Sequence, residues 1–93
     1  MPTLSEPEVK SRLHTVPAWQ VESGELVRGF VFKDFCSALG FVNQVGDLAE
    51  RAGHHPDIDI RYNKVRLLLS THSEGGLTET DFDVAEKIDT LAE

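Results

Sequence analysis

Ninety-three residues, 40% of them hydrophobic and 27% charged, suffice for one domain with a small core and exclude a disordered chain. Sixteen acids against nine bases give a formal charge of −7, and the bases are scattered singly, which argues against contact with nucleic acid or an anionic membrane surface. With no basic-then-apolar leader and no long apolar run, the expectation is a single cytoplasmic domain over residues 1–93, without membrane association.

Leu4-Ser5-Glu6-Pro7-Glu8-Val9 reads as a helix start. Ser5 caps, Glu8 completes a capping box, and Leu4 meets Val9 in a hydrophobic staple. Pro7 is tolerated in the first turn, where its missing N–H has no partner anyway. The helix is expected to end near His14, a surface residue, with Val9 and Leu13 on its buried side. Pro17–Glu22 reads as a short strand and Leu26–Phe32 as a second, joined by a turn at Ser23-Gly24-Glu25. In the second strand Leu26, Arg28, Phe30 and Phe32 share one face and Val27, Gly29 and Val31 the other. Both faces are fairly apolar, which suits covering on two sides or association with a partner copy. Trp19 and its aromatic neighbours read as core.

Asp34 is the expected cap of the main helix, whose apolar stripe is Phe35, Ala38, Leu39, Val42, Val45, Leu48, Ala49 and Ala52. The lone cysteine, Cys36, falls inside this pattern and is expected to be a buried thiol. Gly53 supplies a left-handed stop. Two strands follow, Asp57–Tyr62 and Val65–Thr71, with Asn63-Lys64 as a two-residue turn. That turn sets Tyr62 opposite Val65, Ile60 opposite Leu67, Ile58 opposite Leu69, Asp57 opposite Ser70 and His55 opposite His72. It also faces Arg61 with Arg66, which is mildly unfavourable. Thr78 opens the last helix with Asp81 at the capping-box position, and Val84, Ala85, Ile88 and Leu91 form its buried stripe. The seven acids from Glu74 to Glu93 are expected to be a solvated helix face. The order α-β-β-α-β-β-α predicts an α+β domain, a four-stranded antiparallel sheet with helices packed on one face.

Three of the four histidines, His54, His55 and His72, lie in two short segments that this hairpin brings together. Imidazole suits general acid–base chemistry near neutral pH. Glu50, one helical turn before His54, is either a charge partner that orients a histidine or a solvated helix residue. A three-histidine zinc site needs converging nitrogens, and neighbouring residues of an extended segment point to opposite faces, so no metal is expected. No Ser-His-Asp context and no phosphate-binding glycine loop is visible. Gly75-Gly76 reads as backbone freedom before a helix.

Glu50 followed by His54-His55-Pro56, then Tyr62-Asn63-Lys64-Val65, Thr71-His72 and Gly75-Gly76-Leu77-Thr78-Glu79-Thr80-Asp81, resembles the pterin-4a-carbinolamine dehydratase family. Trp19 and Gly29-Phe30-Val31-Phe32-Lys33-Asp34-Phe35 extend the resemblance over roughly Trp19 to Ile88. The combination is specific, although no single part is. The resemblance implies a hydro-lyase that converts 4a-hydroxytetrahydropterin, the product of aromatic amino acid hydroxylases, to quinonoid dihydropterin. It implies no metal or organic cofactor, a small-molecule pterin as partner, and assembly into a homodimer or homotetramer. The family's histidines match His54, His55 and His72, with His54 and His72 expected to share the acid and base roles. Glu50, His55, Pro56 and Asp81 match its substrate-binding positions, Glu50 or Asp81 being expected to orient the pterin's amino-pyrimidinone edge. Asp81 also has an explanation as a helix-cap residue. Ile58 stands where animal members tend to carry Trp, and the residues before Val16 carry little of the pattern. Animal members also act as dimerisation cofactors for a homeodomain transcription factor, so a protein-binding role is the competing expectation. Action on another pterin, such as a molybdopterin-related compound, is a further one.

Overall fold

The computed structural model describes residues 2–93. The chain runs α1 (Glu6–Leu13), β1 (Gln20–Glu22), β2 (Glu25–Val31), α2 (Phe35–Ala52), β3 (Asp57–Arg61), β4 (Lys64–Leu69), a 3-10 turn (His72–Glu74) and α3 (Glu79–Ala92). The four strands form one antiparallel sheet in the order β1-β2-β4-β3, so the α+β architecture is as expected. Among the described residues no helix is long and apolar enough to cross a membrane.

Local chemistry fixes the helix ends. Ser5 and Glu8 form the capping box of α1, Asp34 accepts the Ser37 N–H at the start of α2, and Gly53 ends α2 with φ 64°. The Ser37 N–H holds the Asp34 carboxyl below its ordinary pKa, because the hydrogen bond favours the charged form. At the other boundary, β1 starts three residues later than the sequence suggests. Trp19 N–H instead turns back to the Val16 carbonyl at 3.0 Å, and Pro17 has no N–H to give a ladder.

Leu26 and Phe30 of β2, and Val65, Leu67 and Leu69 of β4, meet Phe41, Val45 and Leu48 of α2 and Phe82, Ala85 and Ile88 of α3 in one buried core. Full burial of a side chain such as Phe82 (0% exposed) contributes about 2–3 kcal/mol. The buried set of α2 is Ala38, Phe41, Val45, Leu48 and Ala49, which corrects the expected stripe. Phe41, absent from that stripe, turns inward because Phe30 and Phe32 receive it at ring distances of 4.7 and 5.0 Å. Phe35 and Leu39 turn outward in exchange, and Cys36 is exposed, not buried.

The β3–β4 register also differs from expectation. The turn is Tyr62-Asn63, pairing Arg61 with Lys64, Ile60 with Val65, Asp59 with Arg66, Ile58 with Leu67 and Asp57 with Leu68. A two-residue slip keeps every side chain on its expected face, because the strand period is two. The cause lies outside the hairpin. Asn63 is held by Phe32, whose N–H donates to the Asn63 carbonyl at 2.9 Å and whose carbonyl accepts the Asn63 side-chain amide at 2.8 Å. That clamp extends the β2–β4 ladder by one pair, so Tyr62, not Asn63, takes the positive φ (53°). The slip replaces the Arg61–Arg66 contact with Asp59 opposite Arg66.

The acidic last helix is not merely solvated. Arg12 of α1 reaches across to Glu79, Asp83 and Glu86, and lies 5.2 Å from the Phe82 ring centre. Partial burial works against its charge, but the hydrogen bonds to Glu86 and Asp83 and the charge of Glu79 outweigh it and raise its pKa. Asp89 is similarly used, accepting the Trp19 indole N–H at 2.7 Å and an Arg28 N–H at 2.5 Å.

Candidate functional site

Gly53 releases the chain from α2, and the next three residues carry His54-His55-Pro56 past the end of β4. The His54 N–H still bonds back to the Ala49 carbonyl at 3.1 Å, so the segment leaves the helix in a fixed direction. Its ring turns inward, and Nε2 lies 2.5 Å from Oδ1 of Asp81. Asp81 is wholly buried. Its other oxygen, Oδ2, accepts the Thr71 hydroxyl and the Thr78 N–H, each at 2.9 Å. Thr71 and Thr78 hydroxyls also lie 2.9 Å apart. Because the Thr71 proton goes to the carboxylate, Thr78 is the donor between the two hydroxyls.

One carboxylate therefore joins the end of α2, the segment after β4 and the first turn of α3, which it also caps. An ionised carboxylate only accepts hydrogen bonds, so opposite such a carboxylate the His54 Nε2 is the donor. No buried side-chain polar atom lacks a partner among the described residues.

His55 faces solvent and pairs with Glu50, which is itself exposed. The carboxylate one turn before His54 thus serves His55, and it is Asp81 that serves His54. His72 lies on the 3-10 turn after β4, exposed, with Nε2 3.4 Å from the Ser70 hydroxyl. The corrected register does not oppose His55 to His72. Asp57 pairs with Leu68, so a continued ladder sets His55 across from Ser70, the residue that touches His72. The three imidazoles share no hydrogen bond; each has its own partner, Asp81, Glu50 or Ser70. Pro56 is half-buried between this segment and β3.

Beside His72 opens a cleft of about 500 Å³ lined by Glu25, Asp57, Ser70, His72 and the glycines 24, 75 and 76. Gly75 holds a left-handed φ of 75° after the turn, and Thr71 bridges to Gly76. These two glycines fold the chain back from His72 to α3. Glu25, Asp57 and His72 each bring one potential ligand atom within 4.8 Å of the others; among the described residues this trio, and not three histidines, is the set a cation would meet. Glu25 and Asp57 were not singled out by sequence reasoning. Asp57 stands one residue after His54-His55-Pro56, but Glu25 comes from a distant turn and left no sequence signal. A larger apolar groove of about 650 Å³ under α1, lined by Leu4, Val9, Leu13 and Leu77, adjoins the cleft at Gly24 and Gly75, but it holds no histidine.

The family model described as pterin 4 alpha carbinolamine dehydratase matches residues 2–91, well beyond the stretch that carries the motifs. A relative from Acidobacterium capsulatum, provisionally named pterin-4-alpha-carbinolamine dehydratase, is 53% identical over 98% of this chain and 99% of its own. A Chloroflexus aurantiacus relative with the same provisional name is 55% identical over 98% of both chains. Among solved structures, a transcriptional coactivator/pterin dehydratase from Brucella melitensis superposes with a TM-score of 0.93 at 39% identity, covering 98% of this chain and 99% of the other. A pterin dehydratase-like protein described as a RuBisCO assembly factor in the alpha-carboxysome superposes with a TM-score of 0.65 at 25% identity, covering 80% and 86%. Sequence and fold agree along the whole length: the chain belongs to the pterin 4 alpha carbinolamine dehydratase family.

Proposed function

We propose that the protein dehydrates a 4a-hydroxytetrahydropterin to the quinonoid dihydropterin by histidine acid–base catalysis, as a step of pterin recycling. The observation that carries this reading is the His54 ring held through Nε2 by the buried Asp81. In the reaction the C4a–O bond breaks, the departing hydroxyl takes a proton and leaves as water, and the N5–H proton is removed as the C4a=N5 double bond forms. His54 Nδ1 takes the N5 proton, and the Asp81 carboxylate offsets the positive charge that the ring then gains, an arrangement related to the carboxylate–imidazole pair of hydrolases. His72, at the edge of the cleft, gives a proton to the leaving hydroxyl. His55 and Pro56 position the pterin, and Glu50 fixes the His55 ring. No nucleophile or metal is required by this chemistry.

The test is stopped-flow absorbance of carbinolamine decay. The protein accelerates the decay, and His54→Ala and His72→Ala each slow the catalysed step by about 100-fold or more. Decay no faster with protein than without it refutes the enzyme reading, and wild-type rates in both variants refute the assignment.

A second reading is a protein-binding role, as the names of the two solved relatives indicate for those proteins. The exposed apolar Val31 (72%) and Tyr62 (66%), together with Phe35 and Leu39, support self-association as a dimer or tetramer in either case. Light scattering measures it, and a monomer at all concentrations refutes it.

A further inference from the structure

A dehydratase must hold the amino-pyrimidinone half of its substrate, where N3–H and the 2-amino group present two parallel donors. A carboxylate matches such a pair in two-point fashion. Asp81 cannot supply it, since it is 0% exposed and both its oxygens are already engaged. Glu50 is bonded to His55 on the outer side of α2 and does not line the cleft. Two other acids do. Glu25, at the start of β2, and Asp57, at the start of β3, bring carboxylate oxygens within 4.8 Å of each other and of a His72 ring nitrogen. Two like charges so placed favour a donor-rich ligand between them, since the cleft lining holds no lysine or arginine. Space is available. The cleft volume, about 500 Å³, lies within the range usual for small-molecule sites, and a Cβ added at Gly24 or Gly75 would meet nothing within 4 Å.

Resting on the dehydratase reading, we propose that Asp57, seconded by Glu25, binds the 2-amino and N3–H edge of the pterin and so selects 2-amino-4-oxo pterins over their 2,4-dioxo counterparts, the lumazines. In a lumazine the 2-position carries an oxygen whose lone pairs face the carboxylate. A site built to accept hydrogen bonds then faces an acceptor and rejects it. The same geometry makes Asp57→Asn a switch. Its amide oxygen still accepts N3–H, whereas its NH₂ opposes the pterin amino group and suits the lumazine 2-oxygen.

The test compares binding of pterin and lumazine by fluorescence titration of the full chain, for the wild type, Asp57→Asn and Glu25→Gln, with folding checked by circular dichroism. Wild type is expected to prefer pterin about tenfold or more, and Asp57→Asn to lose or invert that preference. In the dehydration assay Asp57→Asn raises KM about tenfold while kcat changes about twofold or less, as for a residue that binds ground and transition states alike. Glu25→Gln shifts KM in the same direction by a smaller factor. A wild type that accelerates dehydration but prefers neither ring system overturns this inference and leaves the dehydratase reading standing. So do variants that bind both ligands as the wild type does. Zinc titration adds one more arm: tight zinc binding that Asp57→Asn abolishes, with pterin affinity unmoved, overturns the proposal in favour of a cation site. A wild type that accelerates nothing and binds neither ring system overturns both readings.

Discussion

Thr71→Val isolates the hydrogen-bond centre around Asp81 with almost no change of shape, exchanging one hydroxyl for a methyl group. Two bonds vanish: the donor to Asp81 Oδ2 and the acceptor for the Thr78 hydroxyl, both 2.9 Å long. A bond to a charged group is worth about 1.5–3 kcal/mol and a neutral one about 1 kcal/mol. Thr71 is half-buried, but its two partners, Thr78 and Asp81, are at 0% exposure, so water replaces little of what they lose. The sum is a destabilisation of about 3 kcal/mol. For a chain of 93 residues the unfolding entropy is about 0.2 kcal/mol/K, so the melting temperature should fall by about 15 °C. Thermal melts and urea titrations, the latter with an unchanged m-value, measure it. Thr71→Ser, which keeps the hydroxyl, serves as the control and should stay near the wild type. A loss below about 1 kcal/mol in Thr71→Val would show that the carboxylate does not depend on this donor, and the reasoning about His54 orientation would fall with it.

Arg12→Met should destabilise the fold by about 1 kcal/mol at low salt, with the difference shrinking near 1 M salt as screening replaces the contacts to Glu79, Asp83 and Glu86. Equal effects at both salt concentrations would assign its role to packing on Phe82. Gly53→Ala forces a side chain into φ 64° with nothing for its Cβ to touch, so it should cost about 1–2 kcal/mol of backbone strain, while Gly53→Asn should cost less; chemical denaturation separates the two. Asp34 has a lowered folded-state pKa, so the stability linked to its ionisation is present above its unfolded value and lost as pH falls through the folded one. Asp34→Asn, which retains a capping oxygen, should flatten that acid limb of the stability curve, and an unchanged limb would remove Asp34 from the account.

What the sequence reveals and what it conceals divide along the range of the interactions. Ser5, Asp34, Gly53 and the Thr78–Asp81 pair act within one turn of the chain, and the helix boundaries that they imply stand where the pattern puts them. The β3–β4 turn is decided by Phe32, some thirty residues earlier, which takes Asn63 for the β2 ladder; no rule about turn residues contains that competitor. The inward turn of Phe41 and the outward turn of Cys36 likewise depend on where Phe30 and Phe32 sit, because α2 is apolar over too much of its circumference for periodicity to choose. At the candidate site the histidines and Asp81 stood out in the motif, whereas Glu25 and Asp57 of the cleft did not. The pairing of the histidines was not legible, since Glu50 lies one turn from His54 yet serves His55, and Asp81 arrives from 27 positions away.

Enzymes commonly sacrifice stability at their reacting groups, so that removing a catalytic residue often makes the protein more robust. Under the proposed mechanism the Asp81 centre would reverse that relation. Its carboxylate orients His54 and, with the same two oxygens, caps α3 and holds the segment after β4. Selection for thermostability alone would therefore preserve this group as firmly as selection for turnover. A relative that had abandoned catalysis would have reason to keep Asp81 after His72, exposed on its turn, had drifted away.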